Sequence, residues 1–326
     1  MRSLLFALLA VAVLHTAAHA QSCCSPSLTP SGAIAHHALR GGQWQAGLFT
    51  QHIALAGGRR GTESIPYPNE RESDAQTLAG IVRAGVADWF SASVLVPFVW
   101  RERSDVLSDG TRVFRSSSGL GDVATMGYVR LLRPLQPREW TAGAGVKWAT
   151  GESRAEDETG ELPQELQPGT GANDLLLTTL YTEGLGSFTL NGGVTWRLTG
   201  ILEKIDVFPG TGEEIERTYQ FGNELLYGVS GAWTPDFRLG LELGVRGRHA
   251  QPDRETALHP DGTTGEIETL PSTGGEWIWL TPLLRYATPG GGLTASLTGL
   301  FPIYENLIGT QLSTEPGVQF SLEASF

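Results

Sequence analysis

The chain has 326 residues, a formal net charge of −12, two cysteines and 42 glycines. Its acidic balance, with lysine only at Lys147 and Lys204, argues against a nucleic-acid partner, which would call for a basic surface. Adjacent Cys23 and Cys24 build no disulfide framework, and no apolar run beyond the first twenty residues reaches the about 18 residues of a membrane helix.

The chain opens with a basic Arg2, an apolar run from Leu4 to Leu14 and small residues at Ala18 and Ala20. This is the pattern of a secretory signal peptide over 1–20, with the mature chain expected from Gln21. Ala20 stands where lipidation of Cys23 would need an aliphatic residue. Residues 21–42 follow without alternation and read as a periplasmic segment or plug. They carry Cys23, Cys24, His36 and His37, residue types that bind copper or zinc, although their spacing fits no standard zinc motif. The other reading is a linker with a vicinal disulfide in an oxidising compartment.

From residue 43 to 326 apolar and polar residues alternate in stretches of about ten, the strand period and the length of a tilted membrane crossing. In SASVLVPFVW, Ala92, Val94, Val96, Phe98 and Trp100 share a face; in WTAGAGVKWA, Trp140 to Trp148 do so at even numbers. SFTLNGGVTWRL, FRLGLELGVRGR, LTASLTGLFPIY and the terminal PGVQFSLEASF repeat the pattern; in LTASLTGLFPIY, Tyr304 falls on the polar face. Connections alternate in length. Short ones fall at Ala87–Phe90, Arg133–Glu139, Glu183–Ser187, Thr234–Phe237 and Ala287–Gly292. Long ones run over Gly57–Ala75, Glu102–Gly121, Glu152–Ala172, Glu203–Arg217, Gln251–Gly274 and Asn306–Thr314. Short periplasmic turns and long external loops predict an all-β, antiparallel transmembrane barrel of about 12 strands in the outer membrane of a Gram-negative bacterium. Trp89, Phe90, Trp140, Phe188, Trp233, Phe237 and Tyr286 mark one expected aromatic girdle; Trp100, Trp148, Trp196, Tyr219 and Phe221 mark the other.

Three stretches carry a narrower likeness. SSGLGDVATMGYVRLL, AGAGVKWATGES and GTGANDLLLTTLYTEGLGSFTLNGGVTWRLTG hold G-L-G-D, G-x-K-x-x-T-G and G-x-G-x-x-D at similar spacing. They resemble the outer-membrane transporter-like family named after the meta-pathway of phenol degradation. Trp148 and Ala149 stand where that family more often has Leu and Pro. The resemblance covers about the middle third of the chain. It implies a barrel and uptake of small, often aromatic or apolar molecules, and supplies no catalytic or binding residues. The terminal Phe326 likewise resembles the sorting signal read by the barrel assembly machinery.

Strand parity turns Arg83, Arg101, Arg130, Lys147, Arg197, Arg238, Arg246, Arg248 and Arg285 inward, against Asp174, Glu224, Glu242 and Glu323. Such a wall is either a basic, anion-favouring pore lining or a set of paired charges filling a narrow barrel. No histidine after the signal has a serine two positions on, as an outer-membrane phospholipase site would require, so enzymatic work is not expected. The reading is a channel or transporter for small solutes, apolar, aromatic or anionic. The alternative is a plugged barrel whose Cys/His segment handles a metal or a periplasmic partner. The expected surroundings are outer-membrane lipid and the assembly machinery, with a monomer, no cofactor and no nucleic acid.

Overall fold

The computed structural model describes residues 39–132, 138–207, 214–236, 238–258 and 264–326. Within them twelve antiparallel strands close into one barrel. These are β1 (Trp44–Gly61), β2 (Glu72–Ala87), β3 (Phe90–Val106), β4 (Ala124–Arg130), β5 (Arg138–Lys147) and β6 (Asp174–Leu185). They continue as β7 (Phe188–Leu198), β8 (Glu224–Trp233), β9 (Leu239–Ala250), β10 (Gly275–Ala287), β11 (Leu293–Thr314) and β12 (Gly317–Ser325). Each strand pairs with its sequence neighbours, and β1 pairs with both β2 and β12. Closure leaves no open edge, as a barrel in lipid requires. Phe326 completes the seam: its amide donates to the Trp44 carbonyl (2.9 Å), and the Trp44 amide donates back (3.1 Å).

Alternation decides which side chains face lipid. On β9, Leu239, Leu241, Leu243 and Val245 are exposed, while Gly244, Arg248 and Ala250 are buried. The outward belt ends in aromatics: Trp89, Trp140, Phe188 and Trp233 at the short-turn side, Trp100, Trp148 and Trp196 at the other. Tyr219 and Phe221 depart from the expected girdle. They are buried with Ala172 and Leu202 in an apolar cluster of the external loops. Phe237 lies outside the described residues.

The external side is built up rather than loose. Arg112–Leu120 pairs with the outer half of β3 and extends the wall upward. Leu202–Val207, Glu214–Gln220, Arg254–Leu258 and Thr264–Thr269 form a separate four-stranded sheet from two long connections. The expected loop over Asn306–Thr314 is instead a strand hairpin. β11 rises to Leu307, turns at Gly309, and descends along β1 from Thr310 to Thr314. Gly309 has φ 67°, and a Cβ there would meet the Pro271 carbonyl oxygen at 2.1 Å, so glycine is what lets the turn seat.

One bulge reverses a parity assignment. Pro302 lacks an N–H, and the β10–β11 register skips a residue between Pro302 and Tyr304. Tyr304 therefore turns outward, and Glu305 turns inward and is buried. There Arg59 pairs with it at 3.0 Å, the Ser313 hydroxyl donates to it at 2.6 Å and the Thr314 amide at 2.8 Å.

Candidate functional site: the lumen and its external mouth

Ascending strands end, and descending strands begin, at the external rim. Lys147 ends β5, and Arg197 and Arg248 lie near the ends of β7 and β9; Asp174 opens β6 and Glu224 opens β8. All five face inward, so bases and acids alternate around the wall. Lys147 Nζ lies 3.1 Å from Asp174, Arg197 Nε 2.7 Å from Asp174 and Arg197 Nη1 3.2 Å from Glu224. Arg248 pairs with the other Glu224 oxygen, and its guanidinium stacks on Trp277 at 4.8 Å from the ring centre. Asp122 ends the row, 2.6 Å from Lys147. All six charged groups are buried, and three acids balance three bases. A charge-balanced buried network of this kind holds its members in place, whereas removing one member strands its partner in a poor solvent for charge.

The three motif stretches meet in this row. Asp122, from G-L-G-D, accepts from the Gly151 amide (3.0 Å), the Thr170 amide (2.9 Å) and the Thr170 hydroxyl (2.7 Å). The Thr150 hydroxyl accepts from the Val123 amide (2.8 Å) and donates to the Gly121 carbonyl (3.3 Å). Gly151 and Gly169 touch backbone to backbone; a Cβ on Gly169 would meet Gly151 at 2.5 Å. The motif thus ties both ends of the connection between β5 and β6 to the barrel rim. Asp122 and Thr170 were not among the expected site residues; the G-L-G-D spacing was the available signal.

That connection turns inward. Its Gln164–Leu166 turn is buried against the inner face of β3 and its extension. Arg101 donates to the Glu165 carbonyl (2.6 Å), Arg103 pairs with the Glu165 carboxylate (2.6 Å), and the Ser117 hydroxyl donates to the Leu166 carbonyl. Arg115 holds Asp157 through two bonds, 2.6 and 3.0 Å, and these bonds depress the Asp157 pKa. Gln167 folds the loop on itself, accepting from the Ala155 amide (2.7 Å) and donating to the Leu162 carbonyl (2.7 Å). Glu165 and Asp157 of this loop therefore lie against wall arginines and are not remote from them.

The other expected residues divide in two. Arg83 is buried near the periplasmic end and donates to Gln45 (2.9 Å), which donates to Glu323 (3.0 Å). Arg130 lies 3.6 Å from Glu139 and donates to the Asp88 carbonyl (2.7 Å). Arg238 falls in the turn before β9 and not on the wall, because Asp236 accepts the amides of Arg238 (2.7 Å) and Leu239 (2.9 Å) and closes a turn there. Glu242, Arg246 and Arg285 face inward on β9 and β10 and form no ion pair or hydrogen bond among the described residues. Along the opposite wall runs an apolar cluster of Phe49, Ala79, Leu95, Ala124 and Leu176, backed by Ile81 and Met126. Cys23, Cys24, His36 and His37 lie outside the described residues, among which no group of three metal-ligating side chains is found.

A further buried acid, absent from the sequence expectations, anchors the external sheet. Asp253 accepts from the Tyr219 hydroxyl (2.6 Å) and the Gly222 amide (2.7 Å), and its own amide donates to Thr273 (2.8 Å). Burial pushes its carboxyl up to about 6 and, with Asp253 beside it, raises the Tyr219 phenol well above its usual range.

No family model matches the chain, and no curated protein matches it. Solved structures do. The COG4313 outer membrane channel from Pseudomonas putida F1 superposes with a TM-score of 0.62 at 13% identity, covering 89% of this chain and 97% of that one. The translocator domain of the autotransporter NalP from Neisseria meningitidis gives 0.46 at 9% identity, with coverage of 91% and 92%. The Ralstonia pickettii toluene transporter TbuX gives 0.43 at 8%, with coverage of 91% and 94%. The first likeness bears on the fold, and agrees with the closed barrel and lipid-facing belt of an outer-membrane protein.

Proposed function

We propose that this protein is an outer-membrane channel for small solutes, with apolar, aromatic or anionic molecules as the candidates. The carrying observation is the unequal lumen wall. Phe49, Leu95 and Leu176 line one side, while on the other β7 to β12 present small and polar residues such as Gly193, Gly228, Ser230, Thr281 and Thr298, with Trp277 and Trp279 above them. An apolar strip beside a polar one suits solutes that have both kinds of surface. The channel named in the comparison from Pseudomonas putida supports the same reading by fold, as does the motif resemblance to transporter-like barrels. That resemblance extends the proposal to uptake of aromatic compounds.

Its surroundings are proposed to be outer-membrane lipid around the apolar belt, with the chain acting as a monomer. Single-channel currents from the full-length protein in planar bilayers test the channel. Steps of reproducible size are expected; silence in both the full-length chain and one lacking residues 21–42 would sink the reading. Current only after that truncation would instead favour a plug. Recognition of Phe326 by the assembly machinery is tested by deleting it: folded, heat-modifiable barrel should fall sharply in outer-membrane fractions, and unchanged amounts would remove the sorting role.

A further inference from the structure

Arg246 differs from the other lumen arginines around it. It faces inward on β9, half-buried, and has neither ion pair nor hydrogen bond among the described residues. In register beside it, β8 presents Gly228 and the next strand Gly193, which send no side chain into the lumen. On the other flank β10 places Trp279 directly opposite. The Trp279 ring packs on the Ala250, Trp277 and Leu307 cluster, and its indole N–H has no acceptor among the described residues. Glu242, four residues toward the periplasm on the same face, is the nearest acid acting on Arg246, without an ion pair between them. Arg285 lies beyond it on β10, so two bases stand against one acid on this stretch of wall.

A half-buried guanidinium without an ion pair is costly unless something anionic visits it. Gly228 and Gly193 carry no side chain that could partner the guanidinium, and the neighbouring indole offers an apolar face and a second donor. We propose that Arg246 and Trp279 form a binding subsite for the carboxylate of a small organic anion with an aromatic or apolar body. The guanidinium binds the carboxylate through paired N–H groups; the ring body lies against Trp279. This rests on the channel reading for its biological use, but not for the binding itself.

Benzoate, with benzyl alcohol as its uncharged counterpart, tests the subsite. Calorimetric titration into the detergent-folded, full-length barrel at neutral pH should show saturable benzoate binding, with benzyl alcohol about tenfold weaker or more. Arg246→Gln should weaken benzoate by about tenfold or more and leave benzyl alcohol unchanged. Arg246→Lys should restore part of the benzoate affinity, since charge returns without the fork. Trp279→Leu should weaken benzoate while leaving acetate unaffected. In bilayers, benzoate should interrupt the chloride current of the parent and not of Arg246→Gln. Equal benzoate affinity in the parent and a heat-modifiable Arg246→Gln overturns the subsite. So does equal binding of benzoate and benzyl alcohol by the parent. If Arg246→Gln fails to fold, an Arg246→Lys variant and a Trp279→Leu variant that both bind as the parent does overturn it. A silent parent channel that still binds benzoate in an Arg246-dependent way would overturn the channel reading and leave the subsite standing.

Discussion

Arg246 and Arg248 leave the same strand on the same face, two residues apart, yet they live in different electrostatic worlds. Arg248 is buried between Glu224 and Trp277 and belongs to a row that is neutral as a whole. Arg246, one pleat toward the periplasm, meets glycines on one flank and an indole on the other. The difference comes from where acids can enter the wall. Asp174 and Glu224 open descending strands, so they lie at the external rim and reach only the bases at that level. Lower in the barrel the strands beside Arg246 carry glycine, serine and threonine inward, and Arg246 forms no ion pair among the described residues. Charge counted along a strand is therefore a poor guide to charge a solute would meet.

The largest effect is expected from breaking the row at Lys147. Lys147→Ala leaves Asp122 and Asp174 both without their ammonium in a buried site, where loss of one partner costs about 3 to 5 kcal/mol. Arg197 still covers Asp174, but Asp122 keeps only neutral donors. Denaturant unfolding of the detergent-folded barrel should show the loss, together with greater protease access to the β5–β6 connection. A change within about 1 kcal/mol would mean that the row is not an energetic unit. Next comes the direct contrast of the two arginines. Arg248→Gln should cost about 3 kcal/mol, because Glu224 loses one of its two cations. Arg246→Gln should leave stability within about 1 kcal/mol while moving the salt-gradient reversal potential toward cations. Equal stability losses, or a reversal potential insensitive to Arg246, would erase the distinction between structural and available charge.

A third test sets the barrel row against the external sheet. Asp253 has a folded-state pKa raised to about 6, above the carboxyl's ordinary value. A raised pKa means that the folded sheet holds the proton more tightly than the unfolded chain does. The contribution is thus fully present below about pH 4 and is lost as pH rises through about 6. Its upper size, from a shift of about two units, is roughly 3 kcal/mol, and local opening of the sheet will expose less of it. Limited proteolysis of the external connections should accelerate between pH 5 and pH 7, by up to about tenfold. Asp253→Asn, whose amide can donate to Tyr219 as the protonated acid would, should be flat across that range. A parent protein with no pH dependence would remove Asp253 as the sheet's titrating anchor.

The barrel was legible because its signal is carried by every strand. Period-two alternation, aromatic ends and alternating connection lengths together point to a closed barrel, and closure then fixes the neighbours. The inward position of Lys147, Arg197, Glu224 and Arg248 followed from the same parity. Other buried acids were harder to read. Asp122 precedes β4, Glu165 lies on a loop and Asp253 lies between strands, so no periodicity points at them. Parity also failed where backbone chemistry intervened. Pro302 removes a ladder donor, the register skips, and Tyr304 and Glu305 exchange faces. The place of the acidic loop was hidden for another reason. Loop 152–172 is acidic and polar, which reads as a solvated surface, but three arginines of the wall draw it inward.

That inward loop supplies the smallest expected effect. Glu165→Gln removes one carboxylate at the mouth but leaves the Glu165 carbonyl to accept from Arg101. Arg103 keeps a second acid, since Asp105 lies 2.9 Å from its Nε. The cost should therefore be about 1 kcal/mol, well below that of Lys147→Ala, because no charge is left wholly unpaired. The change in potential is local as well, fading over about 8 Å at physiological salt. Anion preference should rise slightly in the reversal measurement, by less than the opposite shift from Arg246→Gln, while the single-channel conductance changes little. A large rise in conductance would show instead that the Glu165 carboxylate is what holds the loop across the mouth. The motif contacts of Asp122 with Gly151 and Thr170 would then anchor only the loop's ends.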